Sequence, residues 1–302
     1  MENKTKILMI GWELPPFNSG GLGVACEGLA KALSKSDKVG EVIFALPFKV
    51  PVKKDFIRLF YPEKRKRINY SLLQSVFSPY SNIQFDRVNY FKEIREAKKY
   101  FKLGSLQQEV FNYAGFIEQN CSDYEFDVIH AHDWLCFPAA IKAREKTGKP
   151  FIAHVHATEF DRCAGDNINS SVYEIEREGL MKADGVIAIS QRIKDILINK
   201  YGIPEQKITL IHNGIDQEYF KKSLGKNLQI ESFKKSGNKI VLYVGRLTVQ
   251  KGIEFLIQAA KKVVDYDKNV YFIIAGSGEL RDQLIEKAAD LGISDKVLFP
   301  GF

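Results

Sequence analysis

The sequence predicts an α/β protein made of two doubly wound, Rossmann-like units, the second of them incomplete. Three observations predict it. Short apolar runs alternate with amphipathic stretches, glycine-rich loops stand where strands hand over to helices, and the alternation stops once and restarts. Apolar runs bounded by turns read as strands at Ile7–Ile10, Val42–Leu46, Val128–Ala131, Phe151–Val155, Val186–Ile189 and Ile208–Ile211. Helical spacing is clearest over Leu22–Leu33, Leu106–Ile117 and Ile193–Tyr201. Apolar strands separated by helices specify a parallel sheet covered on both faces.

The first unit takes residues 1–214, with a segment rich in Phe, Tyr, Lys and Arg, about residues 48–102, that fits no simple pattern and reads as an insertion. Its run Lys64-Arg65-Lys66-Arg67 is read as a solvated face, the alternative being an acceptor or membrane-surface patch. A polar stretch over residues 215–237 reads as a linker. The pattern restarts over residues 238–302 with strands Ile240–Val244, Val270–Ala275 and Val297–Phe299 and helices Gly252–Val264 and Glu279–Leu291. Three strands are about half of a doubly wound unit, so the expectations include a partner chain that completes it.

Composition narrows the function. The chain has 302 residues, 45% hydrophobic and 27% charged, enough for a sizeable core. Its net charge of +7 is a mild bias toward anionic small molecules and not a nucleic-acid signature. Cys26, Cys121, Cys136 and Cys163 form no C-x-x-C pair, which suits reduced thiols and argues against cysteine-bound metal. No secretory leader precedes Lys6–Ile10 and no apolar run reaches the roughly 20 residues of a membrane span, so a cytoplasmic chain without integral membrane contact is expected.

Four segments carry chemistry. The first, from Gly11 through Glu13 to Gly20-Gly21-Leu22-Gly23, runs from the first strand into the first helix, where glycines let backbone N–H groups approach a phosphate. A dinucleotide fingerprint is disfavoured, because Cys26 stands at its third glycine position and the next strand ends Ala45-Leu46-Pro47; a plain glycine-rich turn remains the alternative. The second segment, His130-Ala131-His132-Asp133, ends a strand, where ligands of open α/β sheets sit. Its residues suggest hydrogen-bonded groups lining a cleft more than a metal site. The third, His154-Val155-His156, ends the next strand with both histidines on one side. Both could be structural, but His156 suits a donor-sugar contact. The fourth, Gly245-Arg246-Leu247 with Lys251-Gly252, places two cations at a strand-to-helix junction, suited to neutralising a diphosphate that gains charge as it leaves. Gly276-Ser277-Gly278 repeats the loop downstream.

Taken together, Gly20-Gly21-Leu22-Gly23, His130-Ala131-His132-Asp133-Trp134, His156-Ala157-Thr158-Glu159, Asn213-Gly214-Ile215-Asp216 and Gly245-Arg246-Leu247 with Lys251-Gly252 resemble retaining glycosyltransferases of the glycogen/starch synthase and sucrose synthase superfamily (glycosyltransferase family 4-like). The resemblance implies a GT-B fold of two Rossmann-like domains, a nucleotide-sugar donor, UDP-glucose or ADP-glucose, as co-substrate, a sugar or glucan acceptor, and no cofactor or metal. His156, Arg246 and Lys251 become the catalytic set. Gly20, Gly21, Gly23, Gly245, Gly276 and Gly278 fall on the donor side, and Glu13, His130, His132 and Asp133 on the acceptor side or cleft. Two departures matter: Asn18 stands where ADP-glucose-dependent synthases carry lysine, and the family's pair of glutamates with seven residues between them falls beyond Phe302. The competing readings are a same-fold epimerase or phosphorylase, and a non-catalytic or split-enzyme fragment that binds nucleotide or sugar.

Overall fold

A computed structural model describes residues 4–16, 21–62, 106–163, 168–215 and 228–301. Gly20, the Lys64–Arg67 run and most of the expected insertion and linker lie outside the described residues. The described chain divides after Ile215 into two compact units.

The first unit runs β1 (Thr5–Ile10), α1 (Gly21–Ser34), β2 (Val39–Ala45), β3 (Arg58–Phe60), α2 (Leu106–Asn120), β4 (Val128–His132), α3 (Phe137–Thr147), β5 (Phe151–Val155), α4 (Glu159–Arg162), α5 (Ser170–Lys182), β6 (Gly185–Ala188), α6 (Gln191–Tyr201) and β7 (Ile208–Leu210). Its seven strands form one parallel sheet in the order β3-β2-β1-β4-β5-β6-β7. The strand order reverses between β1 and β4, and the crevice at the carboxyl ends of those strands is where ligands of this topology sit.

Burial explains the apolar runs. Leu8 and Ile10 of β1 enter one core with Ile43, Ala45, Ile129 and Ala131, while Ile7 and Met9 enter the opposite core with Val42, Phe44 and, from α1, Cys26 and Ala30. Strands covered on both faces need no polar alternation. Gly11 closes β1 because a Cβ there would stand 2.6 Å from the Phe44 ring. The segment that fits no pattern in sequence yields β3, whose Phe60 packs 4.4 Å from the Tyr124 ring and 5.0 Å from that of Phe116. A three-residue strand is too short to show a period.

The second unit holds α7 (Leu228–Lys235), β8 (Lys239–Val244), α8 (Ile253–Tyr266), β9 (Val270–Ala275), α9 (Arg281–Asp290) and β10 (Val297–Gly301), with a parallel sheet in the order β10-β9-β8. The helix α7 falls in the stretch expected to be linker. It is tied to this unit by Phe233, which meets the Tyr271 ring edge-on at 4.8 Å. One face of α8, with Ile253, Ile257, Ala260 and Val264, packs against Phe272 and Ile274 of β9. β8 is an edge among the described strands, and Leu242 and Val244 are 62% and 74% exposed. No helix among the described residues is long and apolar enough to cross a membrane.

Candidate active site

In the first unit the expected site residues gather at the carboxyl ends of β1, β4 and β5. α1 starts at Gly21, and the Glu13 carboxylate accepts the Gly23 amide at 3.0 Å. A buried carboxylate at a helix N-terminus satisfies an orphan donor and the helix dipole together. Glu13 is thus a cap on α1 and not an open cleft group.

β4 and β5 pair so that His132 stands directly opposite His154. Side chains two residues apart on a strand share a face, so His130, His132, His154 and His156 form one cluster on the side of the sheet that α1 covers. Neighbouring ring centroids lie 4.4–5.2 Å apart. His130 Nε2 and His154 Nδ1 are 3.1 Å apart, and His132 Nδ1 and His156 Nε2 are 3.0 Å apart, each pair sharing a hydrogen bond. The Nε2 atoms of His132 and His154 are buried and have no partner. Burial holds the rings of His130 and His154 down to about 3 and that of His156 to about 4, and takes His132 well below the ordinary imidazole range. All four are therefore neutral at physiological pH. His130, His132 and Asp133, expected to line a cleft, are buried instead. His156 is the partly exposed member.

Asp133 has a positioning role. It takes φ of 59°, uncommon for a residue with a side chain. In that conformation its amide donates to the His154 carbonyl at 3.0 Å, while its Oδ1 accepts the amides of His156 at 2.7 Å and Ala157 at 3.4 Å. Burial pushes its carboxyl up to about 6, against the pull of those amides and of Arg162. The end of β4 is thereby stapled to the backbone that carries His156.

Sequence reasoning missed a second layer beneath that backbone. Thr158 caps α4 through a reciprocal pair with Asp161. The Arg162 guanidinium donates to Glu159 at 3.0 Å and to Glu176 of α5, and Glu176 also accepts from the Tyr201 hydroxyl and, at 3.1 Å, from the Glu159 amide. Burial pushes the Glu176 carboxyl up to about 7, with Arg162 and Tyr201 opposing. The sequence signal was a carboxylate in an apolar stripe, since Val172, Glu176, Gly179 and Leu180 are the buried residues of α5.

In the second unit, Arg246 follows β8 and its guanidinium donates to Gln250 Oε1 at 2.9 Å. Lys251 ends a single 3₁₀ turn whose cap, Gly252, has φ of 62°. The neighbouring glycines answer to the backbone. The Gly245 amide donates to Ala275 at 3.0 Å and the Gly276 amide to Gly301 at 2.8 Å, so neither is available to a phosphate. A Cβ on Gly276 or Gly278 would overlap the carbonyl oxygen of Gly245 or Leu247. Gly245, Gly276 and Gly278, expected on the donor side, thus let two loops approach each other.

Two α/β units with parallel sheets, the first carrying its expected site residues at the carboxyl edge of the sheet, are the architecture of GT-B glycosyltransferases. The model of Glycosyltransferase Family 4 matches residues 19–219 and that of Glycosyl transferases group 1 matches residues 226–302, and the chain belongs to Glycosyltransferase Family 4. An uncharacterized glycosyltransferase of Methanocaldococcus jannaschii is 29% identical over 305 residues, covering 98% of this chain and 69% of that protein. A glycogen synthase of Mycobacterium tuberculosis is 30% identical over 165 residues, covering 54% of this chain and 38% of its own length. Among solved structures, a sucrose-phosphate synthase from Thermosynechococcus elongatus matches with a TM-score of 0.68 at 17% identity, covering 99% of this chain and 70% of that one. Anabaena HepE in complex with UDP and glucose matches with a TM-score of 0.62 at 17% identity, covering 99% and 69%.

Proposed function

We propose that this glycosyltransferase moves a hexose, glucose in the first instance, from a nucleoside diphosphate sugar to a sugar or glucan acceptor with retention of anomeric configuration. The observation that carries the reading is the arrangement at the carboxyl edge of the first unit's sheet. It brings the α1 N-terminus at Gly21 to the same sheet edge as His156, whose backbone Asp133 holds at 2.7 Å. Apart from the Gly23 amide, which Glu13 takes, the first-turn amides of α1 have no intrahelical acceptor and suit a phosphate, and a neutral, partly buried imidazole suits a sugar hydroxyl. UDP-glucose is the donor of choice because Asn18 replaces the lysine of ADP-glucose-dependent synthases. Anabaena HepE, similar in fold, was solved with UDP and glucose.

The chemistry asks for charge stabilisation more than for a nucleophile. As the hexose departs through an oxocarbenium-like state, the diphosphate gains negative charge, and Arg246 and Lys251 meet that charge as fork and point cation. His156 positions the hexose, and no metal takes part in transfer. Cys26, Cys121, Cys136 and Cys163 form no disulfide, which suits the cytoplasm.

The test mixes the 302-residue chain with UDP-glucose or ADP-glucose, with and without malto-oligosaccharide, in EDTA. Nucleoside diphosphate released only when acceptor is present, with an α-linked product by NMR, supports transfer. Release without acceptor points to an epimerase or hydrolase. No saturation-transfer signal from either nucleotide sugar would overturn the reading.

A further inference from the structure

The histidine cluster holds more than a donor contact requires. His156 is the most exposed ring, and beside it stand three buried rings, His130, His132 and His154. His130 and His132 are two residues apart on β4, and His154 is the direct β5 neighbour of His132. One ring nitrogen from each of the three lies within 4.8 Å of the other two. Burial keeps each imidazole neutral, the form that binds metal ions. His130 Nε2 and His154 Nδ1, 3.1 Å apart, stand at nearly the ~3.3 Å spacing of two nitrogens bound at ~2.0–2.1 Å to one tetrahedral ion. The Nε2 of His132 is buried without a partner, and a buried polar atom left unmatched is costly.

We propose that His130, His132 and His154 form a coordination site for a borderline divalent transition ion of the Zn²⁺ or Co²⁺ class, separate from the sugar-transfer chemistry. His130 and His154 contribute the two nitrogens that now share a proton, which moves to the far nitrogen of its own ring, so coordination needs no net proton release. His132 contributes the third nitrogen, and the fourth position stays open for water. Three imidazoles with an open position are a ligand set typical of zinc, and nitrogen ligands suit zinc and cobalt and not magnesium or calcium. Cys26 completes a competing set with His132 and His156, but burial raises its thiol well above the ordinary range, whereas binding would need the thiolate. The hydrogen bond from His132 Nδ1 to His156 Nε2, at 3.0 Å, then becomes the outer contact that orients a ligating ring.

The experiment titrates Co²⁺ into the metal-stripped 302-residue chain and reads the visible spectrum, which does not depend on transferase activity. Stoichiometric binding is expected, with the intense d–d bands of four-coordinate cobalt, no thiolate-to-cobalt band, and displacement by Zn²⁺. His132→Asn and His154→Asn should each weaken binding by at least about a hundredfold, since loss of an outer partner alone costs 10–100-fold. Cys26→Ser should leave it unchanged. Absence of one-to-one binding, a thiolate band, loss in Cys26→Ser, or retention in both folded histidine variants would overturn the proposal. Should either histidine variant lose its far-UV circular dichroism, the wild-type spectrum decides alone.

Discussion

Replacing Glu176 with alanine tests whether the layer beneath the His156 segment holds the first unit together. The substitution removes the acceptor of the Arg162 guanidinium, the Tyr201 hydroxyl and the Glu159 amide. Arg162, its side chain 11% exposed, keeps Glu159 at 3.0 Å. Removing one member of a buried ion pair costs about 3–5 kcal/mol. With a urea slope of about 2–3 kcal/mol/M, the midpoint should fall by roughly 1–2.5 M. The assay isolates the unit concerned, because the chain's two tryptophans, Trp12 and Trp134, both lie in the first unit and are buried. Glu176→Gln keeps the shape and should cost under about 2 kcal/mol near neutral pH. The carboxyl, raised to about 7 in the fold, contributes stability that is fully present below its ordinary 4.5 and is lost as pH rises through 7. Wild type should therefore lose roughly 2 kcal/mol relative to Glu176→Gln between pH 5 and 7, the other titrating groups cancelling in the comparison. A midpoint shift under about 0.3 M for Glu176→Ala, or a gap that widens with pH, would refute the reasoning.

Three further outcomes are expected. Arg246→Ala should lower turnover about a hundredfold or more, the scale of losing one preorganised charge stabiliser, as read from acceptor-dependent UDP release; unchanged turnover would remove Arg246 from the chemistry. Gly276→Ala should abolish the protected amides of β8 and β9 in hydrogen exchange, since the new Cβ overlaps the Gly245 carbonyl and the φ of 154° is foreign to a side chain; protection equal to wild type would show that the loops can separate. In ¹⁵N-histidine NMR of the metal-free protein, the rings of His130, His132, His154 and His156 should stay neutral down to pH 5, and titration of any of them near 6.5 would show that water reaches the cluster.

The fold was legible where burial is two-sided. The run Ile7–Ile10 has no polar alternation because cores press on both faces, and it became a parallel strand near its expected bounds. β3 was not legible, because Arg58–Phe60 gains its strand identity from the β2 ladder and from the rings on Phe60. Helix α7 was hidden by its own composition, for Ser232, Lys234 and Lys235 read as linker until Phe233 meets Tyr271 on β9.

At the candidate site, residue type was legible and partnership was not. Period-two spacing shows that His154 and His156 share a face, but only the register, with His132 opposite His154, shows that four rings meet. That pairing decides the chemistry: an exposed histidine titrates near 6.5 and exchanges protons at physiological pH, whereas these rings bond one another and are held neutral by burial. Proton transfer at pH 7 is therefore not the task for which His156 is built. Its neutrality is maintained by burial and its aim by the Asp133 bond to its amide, both suited to holding an uncharged sugar. On the proposed function, the charge that transfer demands falls to Arg246 and Lys251. Acceptor-dependent turnover should then be flat in pH across the histidine range, and a rate that tracks a single protonation between pH 5.5 and 7.5 would return the acid–base role to His156.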